Sequence, residues 1–283
     1  MMPTQDNSPR ALLDFYLEAG VDALVGEDPT DHFAQADAPP PEARPASPGA
    51  GRALPGGASP GATPPRVLRQ SPALAPNAPQ APDEAALAAR QAAASAETLD
   101  ALREAMEKFD GCALKATASR LVFADGNPAA RVMLVGEAPG RDEDIEGTAF
   151  AGRAGRLLDL MLGSIGLDRT SAYLANVVPW RPPGNRSPTP QETAICLPFI
   201  KRQIELANPD ILVCLGKPAM QALLGIQDPI AKARGRWTTY DTGTREIAAI
   251  TTFHPDFLLA SRPQKRFAWR DLLSLKKALA GGG

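Results

Sequence analysis

A regular alternation of short apolar runs and helical stretches follows residue 130, and it constrains the fold more than any other feature of the chain. Four apolar runs have the length of buried strands: VMLVG, AYLANVV, ILVCLG and EIAAITTF. The helical stretches between and after them are AGRAGRLLDLMLGSIGL, TPQETAICLPFIKRQIELA, KPAMQALLG and residues 264–279. Strands that alternate with helices predict a three-layer α/β/α domain around a central parallel sheet of four strands.

The first hundred residues have a different composition. Between Pro39 and Pro82, 13 of 44 residues are proline, mixed with Ala, Gly and Ser. Such a segment buries too little apolar surface to offset its chain entropy. We therefore expect residues 1–100 to form an acidic, mostly disordered Pro/Ala/Gly-rich tail, and residues 101–283 to form one globular domain.

Apolar residues recur at helical spacing near the start of the tail, which predicts a short helix near residues 10–26. Two interpretations stay open for this helix. It is either a frayed helix with no dedicated role, or a docking helix for a protein partner.

Charge and cysteine content restrict the class of protein further. Residues 1–109 carry 8 Lys and Arg against 15 Asp and Glu, whereas residues 110–283 carry 22 against 17. The predicted domain is mildly basic, which is compatible with an anionic partner but does not identify one. Three scattered cysteines are too few for a disulfide framework, and no apolar run reaches transmembrane length. We therefore expect a cytoplasmic monomer without membrane association.

In parallel sheets, ligand sites lie beyond the carboxyl ends of the strands. That rule selects three loops, and the first of them, GEAPGRDEDIEGTAF, is rich in carboxylates. An exposed acidic loop is often only solvated, but a carboxylate directly after a strand is also suited to catalysis. Phe150, at the end of this loop, is either a stacking platform or part of the core. The carboxylates are Glu137, Asp142, Glu143, Asp144 and Glu146.

The second loop, NVVPWRPPGNRSP, follows the second strand. A side-chain amide such as that of Asn176 both donates and accepts hydrogen bonds, so it can pair with the O4 and N3–H edge of uracil. Cytosine presents the reverse pattern, which would leave a donor facing a donor. Arg181 and Arg186 are candidates for phosphate contacts on a loop stiffened by prolines.

The third loop, FHPDFLLASRPQKR, follows the last strand and contains His254, the single histidine of the predicted domain. A lone histidine is more often structural, but its position at a strand end beside two other candidate loops favours a functional role. The apolar and basic residues that follow suggest a wedge with flanking phosphate contacts. They are Phe257, Leu258 and Leu259, then Arg262, Lys265 and Arg266.

Together these motifs resemble the uracil-DNA glycosylase superfamily, most closely its family-4, thermostable iron–sulfur type, over roughly residues 109–279. The resemblance implies that uracil is flipped out of DNA and that its N-glycosidic bond is hydrolysed. It places Glu137 and the backbone of Ala138 against the base, with Phe150 stacked on it. It also implies that Asn176 binds the polar edge of uracil and that His254 stabilises the departing anion. Glu143 or Asp144 could activate water instead of Glu137, and the sequence does not decide among them.

The same resemblance implies a four-iron cluster held by four cysteines, and here the chain departs from the family. Cys112 and Cys196 occupy two of the four ligand positions, whereas Phe109 and Trp180 occupy the other two. Phe and Trp supply no ligand to iron. We therefore expect no metal and no cluster, with the two aromatic rings filling its space.

Two other functions compete with excision of uracil from DNA. The first is a related glycosylase with a different base preference, and Asn176 argues against it. The second is a non-catalytic nucleic-acid-binding module. The presence of Glu137, Asn176 and His254 together argues against this second possibility, because a binding module does not need all three.

Overall fold

The computed structural model describes residues 82–281, and the predicted helix near residues 10–26 lies outside them. Within the described range, six strands form a single sheet with the order β1-β3-β2-β4-β6-β5. Their bounds are β1 Asp125–Gly126, β2 Val132–Gly136, β3 Ala172–Asn176, β4 Ile211–Leu215, β5 Trp237–Asp241 and β6 Glu246–Thr252.

The four central strands, β3, β2, β4 and β6, are parallel, whereas β1 and β5 pair antiparallel at the two edges. The predicted parallel core is therefore confirmed, and the sheet is two strands wider than predicted. Both additional strands have weak sequence signals. β1 has two residues, and in β5 only Tyr240 is buried, so neither has the continuous apolar pattern of a buried strand.

Helices cover both faces of the sheet and complete the predicted three layers. Residues 82–281 contain nine α-helices, several of them with a single turn or slightly more. Their bounds are α1 Pro82–Ala94, α2 Leu99–Lys108, α3 Arg141–Glu146, α4 Arg153–Gly163, α5 Pro190–Ala207, α6 Lys217–Leu224, α7 Ile230–Ala233, α8 Pro255–Ala260 and α9 Lys265–Gly281. No helix in this part of the chain is long and apolar enough to cross a bilayer.

Side chains that alternate along β2 divide the interior into two cores. Met133 and Val135 face a core built with α1, α2, α5 and α6. Val132 and Leu134 face a second core built with α4, α8 and α9. The sheet thus separates two apolar layers, each closed by its own set of helices.

The packed region begins before residue 101, the domain boundary expected from the sequence. Ala85, Ala89 and Ala93 recur every fourth residue of α1 and are buried in the first core. This stripe of small side chains lets α1 pack against α5. In α1, alanine is thus part of a packed helix interface and not of the disordered tail.

Helix α5 begins with the capping box that its sequence predicts. The Thr189 hydroxyl accepts a hydrogen bond from the backbone N–H of Glu192 at 3.2 Å, and the Glu192 carboxylate accepts one from the Thr189 N–H at 2.7 Å. Pro190 occupies the first helical position. This cap fixes where the loop after β3 ends.

A buried ionic group joins α9 to β6. The Asp271 carboxylate is 4% exposed and accepts a hydrogen bond from the Thr252 hydroxyl at 2.7 Å. Arg234 donates to the same carboxylate, at 2.9 Å from Nε and also through Nη2. Removal of one partner leaves the other charged and buried.

We expect Asp271→Ala to lower the free energy of unfolding by about 3–5 kcal/mol, because it leaves the Arg234 guanidinium without its carboxylate. Chemical denaturation followed by circular dichroism measures this change. Asp228→Ala is the control, since Asp228 pairs with Lys232 on the surface at 3.5 Å. It should cost less than about 1 kcal/mol. If both variants lost the same free energy of unfolding, the buried position of the Asp271 pair would not account for its effect on stability.

Candidate active site

Three predicted site residues converge on the carboxyl end of β2. Gly136 pairs in register with Asn176 of β3. A Cβ atom on Gly136 would lie 2.5 Å from Asn176 Oδ1, 2.8 Å from Phe150 Cζ and 3.3 Å from His254 Nε2. Because this strand end carries no side chain, an amide, an aromatic ring and an imidazole come together over it. The sheet order explains why the site lies at β2. The chain passes from β2 to β3 on one side and then returns to β4 on the other side, and ligand sites in such sheets lie at this switch point.

A cavity of about 530 Å³ opens at this point, a size typical of small-ligand sites. All three loops selected from the sequence contribute to it. The candidate residues on its wall are Glu137, Ala138, Asp142, Glu143, Phe150, Asn176, Arg186, His254 and Phe257.

His254 follows β6 and precedes α8, and its hydrogen bonding fixes its tautomer. Nδ1 accepts a hydrogen bond from the backbone N–H of Asp256 at 3.2 Å. A neutral imidazole whose Nδ1 accepts must carry its proton on Nε2, which is the nitrogen that faces the cavity. Desolvation lowers the pKa of His254, and the carboxylate of Asp256 partly opposes that shift. The site therefore presents a neutral Nε2–H donor at pH 7.

The Asn176 side chain is 6% exposed and makes no hydrogen bond to any residue in the described part of the chain. It lies at the last position of β3, so the strand backbone on both sides holds it in place. Buried amides are normally paired with partners. An unpaired amide on a cavity wall is available to a ligand that both donates and accepts.

The carboxylates of the first loop have different surroundings. Glu137 lines the cavity, and its carboxylate makes no ion pair or hydrogen bond within residues 82–281. Glu143 accepts from the backbone N–H groups of Gly140 at 3.0 Å and Gly152 at 3.3 Å. It thereby joins the start of α3 to the start of α4. Each of its two oxygens thus accepts one backbone hydrogen bond, and the residue also lies on the cavity wall.

Asp144, another candidate for water activation, is not brought to the cavity. Its carboxylate is buried and accepts hydrogen bonds from the Ser119 N–H at 2.7 Å, the Ser119 hydroxyl at 3.0 Å and the Arg120 N–H at 3.3 Å. These hydrogen bonds hold α3 against the loop that contains Ser119 and Arg120, so the role of Asp144 in this structure is to stabilise the fold.

The two arginines of the second loop are engaged in local contacts. Arg186 forms a two-pronged ion pair with Glu192 at 2.7 and 2.8 Å. The Arg186 side chain, above all, holds the pKa of Glu192 down at about 2. Arg181 donates from Nε to Asn185 Oδ1 at 2.7 Å. Its Nη1 also lies 3.8 Å from the buried Asp144 carboxylate. Both side chains stiffen the loop, but only Arg186 lies on the cavity wall.

The structure adds two basic residues that the sequence did not single out. Arg141 and Arg153 line the cavity, are exposed, and form no ion pair with other residues of the described range. Each stands at the first position of a helix, α3 and α4 respectively. Nothing in the sequence pattern separates them from other surface arginines, and only the fold brings them to the rim.

The residues after His254 divide between surface and core. Phe257 is 43% exposed, lies at the cavity and packs on Phe253 with ring centroids 4.9 Å apart. Leu259 is half-buried, whereas Leu258 is 1% exposed and belongs to the second core. Leu258 is therefore not available as a wedge, because the first turn of α8 directs it inward. Beyond α8, Arg262, Lys265 and Arg266 are all exposed.

The four positions compared with cluster ligands lie in one apolar core. Cys112 and Cys196 are buried with their sulfur atoms 3.9 Å apart. The hydrogen bond between the thiols lowers the pKa of Cys112 and raises that of Cys196 well above the usual range. Trp180 is 2% exposed, and Phe109 packs edge-on against Phe199 at 5.1 Å.

These residues do not fit a four-iron cluster, which takes four thiolates. Two thiols in contact with each other and two apolar rings form a packed core instead. Within residues 82–281, no group of three or more His, Cys, Asp or Glu side chains is placed to hold a metal ion.

The fold and the cavity together define a doubly wound α/β domain with a cavity at its topological switch point. Comparison with known proteins agrees with this class. Residues 123–273 match the family model of the uracil DNA glycosylase superfamily. The chain belongs to this superfamily.

Curated relatives make the family more specific. A type-4 uracil-DNA glycosylase of Archaeoglobus fulgidus is 39% identical over 174 residues, which cover 60% of this chain and 87% of the relative. That of Thermotoga maritima is 37% identical over 190 residues, covering 66% and 97%. That of Saccharolobus solfataricus is 34% identical over 189 residues, covering 65% and 88%.

We expect the pKa of His254 to lie below the usual value of about 6.5, because burial disfavours the imidazolium. NMR titration of imidazole signals measures it, and His32→Asn removes the other histidine. Asp256→Asn should lower the pKa further. Since the folded state resists protonation, the stability that His254 contributes is present above about pH 6.5 and is lost as the pH falls through the folded pKa. A pKa above the usual value, or a proton on Nδ1 in the neutral form, would contradict this assignment.

Proposed function

We propose that this protein removes uracil from DNA by hydrolysing its N-glycosidic bond, which releases the free base and leaves an abasic site. The observation that carries the proposal is the convergence of Phe150, Asn176 and His254 on the bare strand end at Gly136. This set supplies stacking, edge recognition and a hydrogen-bond donor in one cavity. The family and the names of the relatives support the same activity.

The substrate base must leave the duplex before it can enter such a cavity. The Phe150 ring lies 5.9 Å from the His254 ring, centroid to centroid, and forms an aromatic wall for the flipped base. The Asn176 amide donates to uracil O4 and accepts from N3–H. Cytosine offers an amino group and a bare nitrogen at the same edge, so it leaves the amide mismatched.

Cleavage breaks the C1′–N1 bond, and both electrons of that bond stay on the base. The sugar develops oxocarbenium character, while negative charge grows on the uracil ring. His254 Nε2–H donates to uracil O2 where this charge develops. A neutral donor at a fixed position stabilises the anion without reorganisation during the reaction, and one such donor is worth about 10²–10³ in rate. Water then forms the new bond to C1′ and gives up one proton to solvent, while the released uracil anion takes up one proton from solvent.

Glu137 is the proposed residue for orienting that water. It follows β2 directly and lines the cavity, and its carboxylate has no other bonding partner in the described range. Asp144 and Glu143 are already occupied by backbone and hydroxyl donors. The Glu137 carboxylate has both oxygens free to bind water, whereas those of Glu143 and Asp144 already hold neighbouring segments in place.

The DNA backbone contacts belong to the rim of the cavity. Arg141 and Arg153 provide positive charge without an acidic partner, while Arg181 and Arg186 provide it on the loop after β3. Phe257 is the proposed side chain that fills the space left by the flipped base, because it is exposed and braced by Phe253. Arg262 and Lys265 extend the basic surface past α8.

We also propose that the enzyme works without an iron–sulfur cluster. Its cluster positions contain two mutually bonded thiols and two packed rings rather than four thiolates. A cytoplasmic location, a monomeric state and a protein partner for residues 10–26 stay predictions of the sequence.

We expect the wild-type protein to convert a single-stranded oligonucleotide with one uracil into a strand with an alkali-labile site. Asn176→Asp removes the donor to O4 and should slow single-turnover excision by about 10²-fold or more. Asn127→Asp is the matched control. Asn127 bonds Thr170 and Ala129 backbone atoms at the start of β3, away from the cavity.

Three outcomes would change the assignment. If the wild type leaves the uracil oligonucleotide intact but binds it, the protein is a binding module. If it cleaves oligonucleotides with other deaminated bases in preference to uracil, the base preference is different. Equal loss of activity in the Asn176 and Asn127 variants would remove Asn176 from the recognition of the base.

We expect the purified wild-type protein to be colourless and to contain no stoichiometric iron, even after anaerobic reconstitution with iron and sulfide. The double variant Phe109→Cys, Trp180→Cys restores four thiols and should acquire a cluster under the same conditions. Iron analysis and visible absorbance measure both. A brown wild-type protein with full excision activity would show that other ligands hold the cluster.

A further inference from the structure

Phe150 has an unusual backbone for a large aromatic residue. Its φ angle is 56°, in the left-handed region that bulky side chains seldom adopt. The residue is 3% exposed, and its ring forms one wall of the base cavity. Since the direction of the Cα–Cβ bond follows the backbone angles, the ring keeps this position only while the left-handed conformation is held.

The carbonyl groups beside this turn are held by Arg169, in the loop before β3. Its Nη2 donates to the Phe150 carbonyl oxygen at 2.7 Å, and its Nη1 donates to the Ala149 carbonyl at 3.2 Å. On the other side of the same carbonyl, α4 approaches so closely that a Cβ atom on Gly155 would overlap the Phe150 oxygen. The carbonyl is thus fixed between a guanidinium group and a glycine.

Two carboxylates hold the guanidinium group in place. Asp159 of α4 accepts from Nε at 2.8 Å and from Nη2 at 3.2 Å. Asp125 of β1 accepts from Nη1. The Arg169 side chain is 29% exposed and is bonded on every side, so it is not a free surface cation. It connects the edge strand, helix α4 and the turn that carries Phe150.

We propose that Arg169 is a positioning residue for excision: it holds Phe150 in the left-handed conformation that places the aromatic wall over the base. This proposal rests on the proposed function for its catalytic meaning. Arg169 does not line the cavity, so it acts on the base only through Phe150.

The chain contains a matched control at the opposite end of the sheet. Asn208, before β4, is also left-handed with φ 49°. Arg245 donates to its side-chain oxygen at 2.7 Å and to its carbonyl at 3.0 Å. Arg245→Met therefore removes the same kind of clamp, from the same kind of turn, without touching the cavity.

The experiment compares Arg169→Met with Arg245→Met in the full-length protein. For Arg169→Met we expect kcat/KM on the uracil oligonucleotide to fall by about 10²-fold, since small displacements of positioning groups have effects of this size. Inhibition by free uracil should weaken by about 10-fold or more, because stacking is lost. Affinity for an undamaged oligonucleotide should stay within about twofold, because phosphate contacts are untouched. Arg245→Met should lower the melting temperature but leave all three properties unchanged.

Arg169→Lys provides a second comparison if the methionine variant does not fold. It keeps the charge and a single donor in place of the guanidinium fork, so its uracil inhibition should lie between those of the wild type and Arg169→Met. Wild-type inhibition by uracil in a folded Arg169 variant would overturn the proposal. So would equal effects of the Arg169 and Arg245 substitutions.

Crystal structures of the wild type and Arg169→Met test the conformational step independently of activity. We expect residue 150 to leave the left-handed region in the variant. If the wild type does not act on uracil at all, the proposed function fails while this measurement still stands. If residue 150 keeps its φ angle without Arg169, the positioning role fails whatever the enzyme's activity.

Discussion

The close approach of side chains over Gly136 is the contact on which the candidate site depends. An amide, a phenyl ring and an imidazole lie within 2.5–3.3 Å of the position where any other residue would carry its Cβ atom. Each of these groups comes from a different loop, so their meeting requires the sheet register that pairs Gly136 with Asn176. A Cβ atom at this strand end would therefore displace the Asn176 amide and the Phe150 ring from their places.

The acidic loop after β2 shows how the same residue type is divided between structure and chemistry. Glu143 and Asp144 accept hydrogen bonds from backbone N–H groups of neighbouring segments, so their charge is compensated inside the fold. Glu137 keeps its oxygens free on the cavity wall. Unpartnered cations, Arg141 and Arg153, stand on the rim. The loop thus keeps the carboxylates of Glu137 and Asp142 on the cavity wall, with the two arginines beside them.

The sequence predicts the parallel core well because its strands are continuous apolar runs followed by Gly or polar residues. It also selects the three loops, since strand ends in parallel sheets meet at one edge. It does not predict β1 or β5, which bury too little to leave a pattern. Nor does it separate Leu258 from Phe257, or Asp144 from Glu137. Those distinctions depend on which way a short helix turns, and neither periodicity nor spacing contains that information. The role of Arg169 cannot be predicted from the sequence either, because the carboxylates that it binds lie 10 and 44 residues away in the chain.

The division of the interior by the sheet has a consequence for how this protein could have changed over time. Phe150 belongs to the apolar layer on one face, whereas Phe109, Cys112, Trp180 and Cys196 belong to the layer on the other. The sheet backbone lies between the two layers, so side chains of one layer do not pack against those of the other. The two layers can therefore accept substitutions as separate modules. Substitutions that change side-chain volume around Cys112 and Cys196 do not contact the layer that holds Phe150 in the wall of the base cavity.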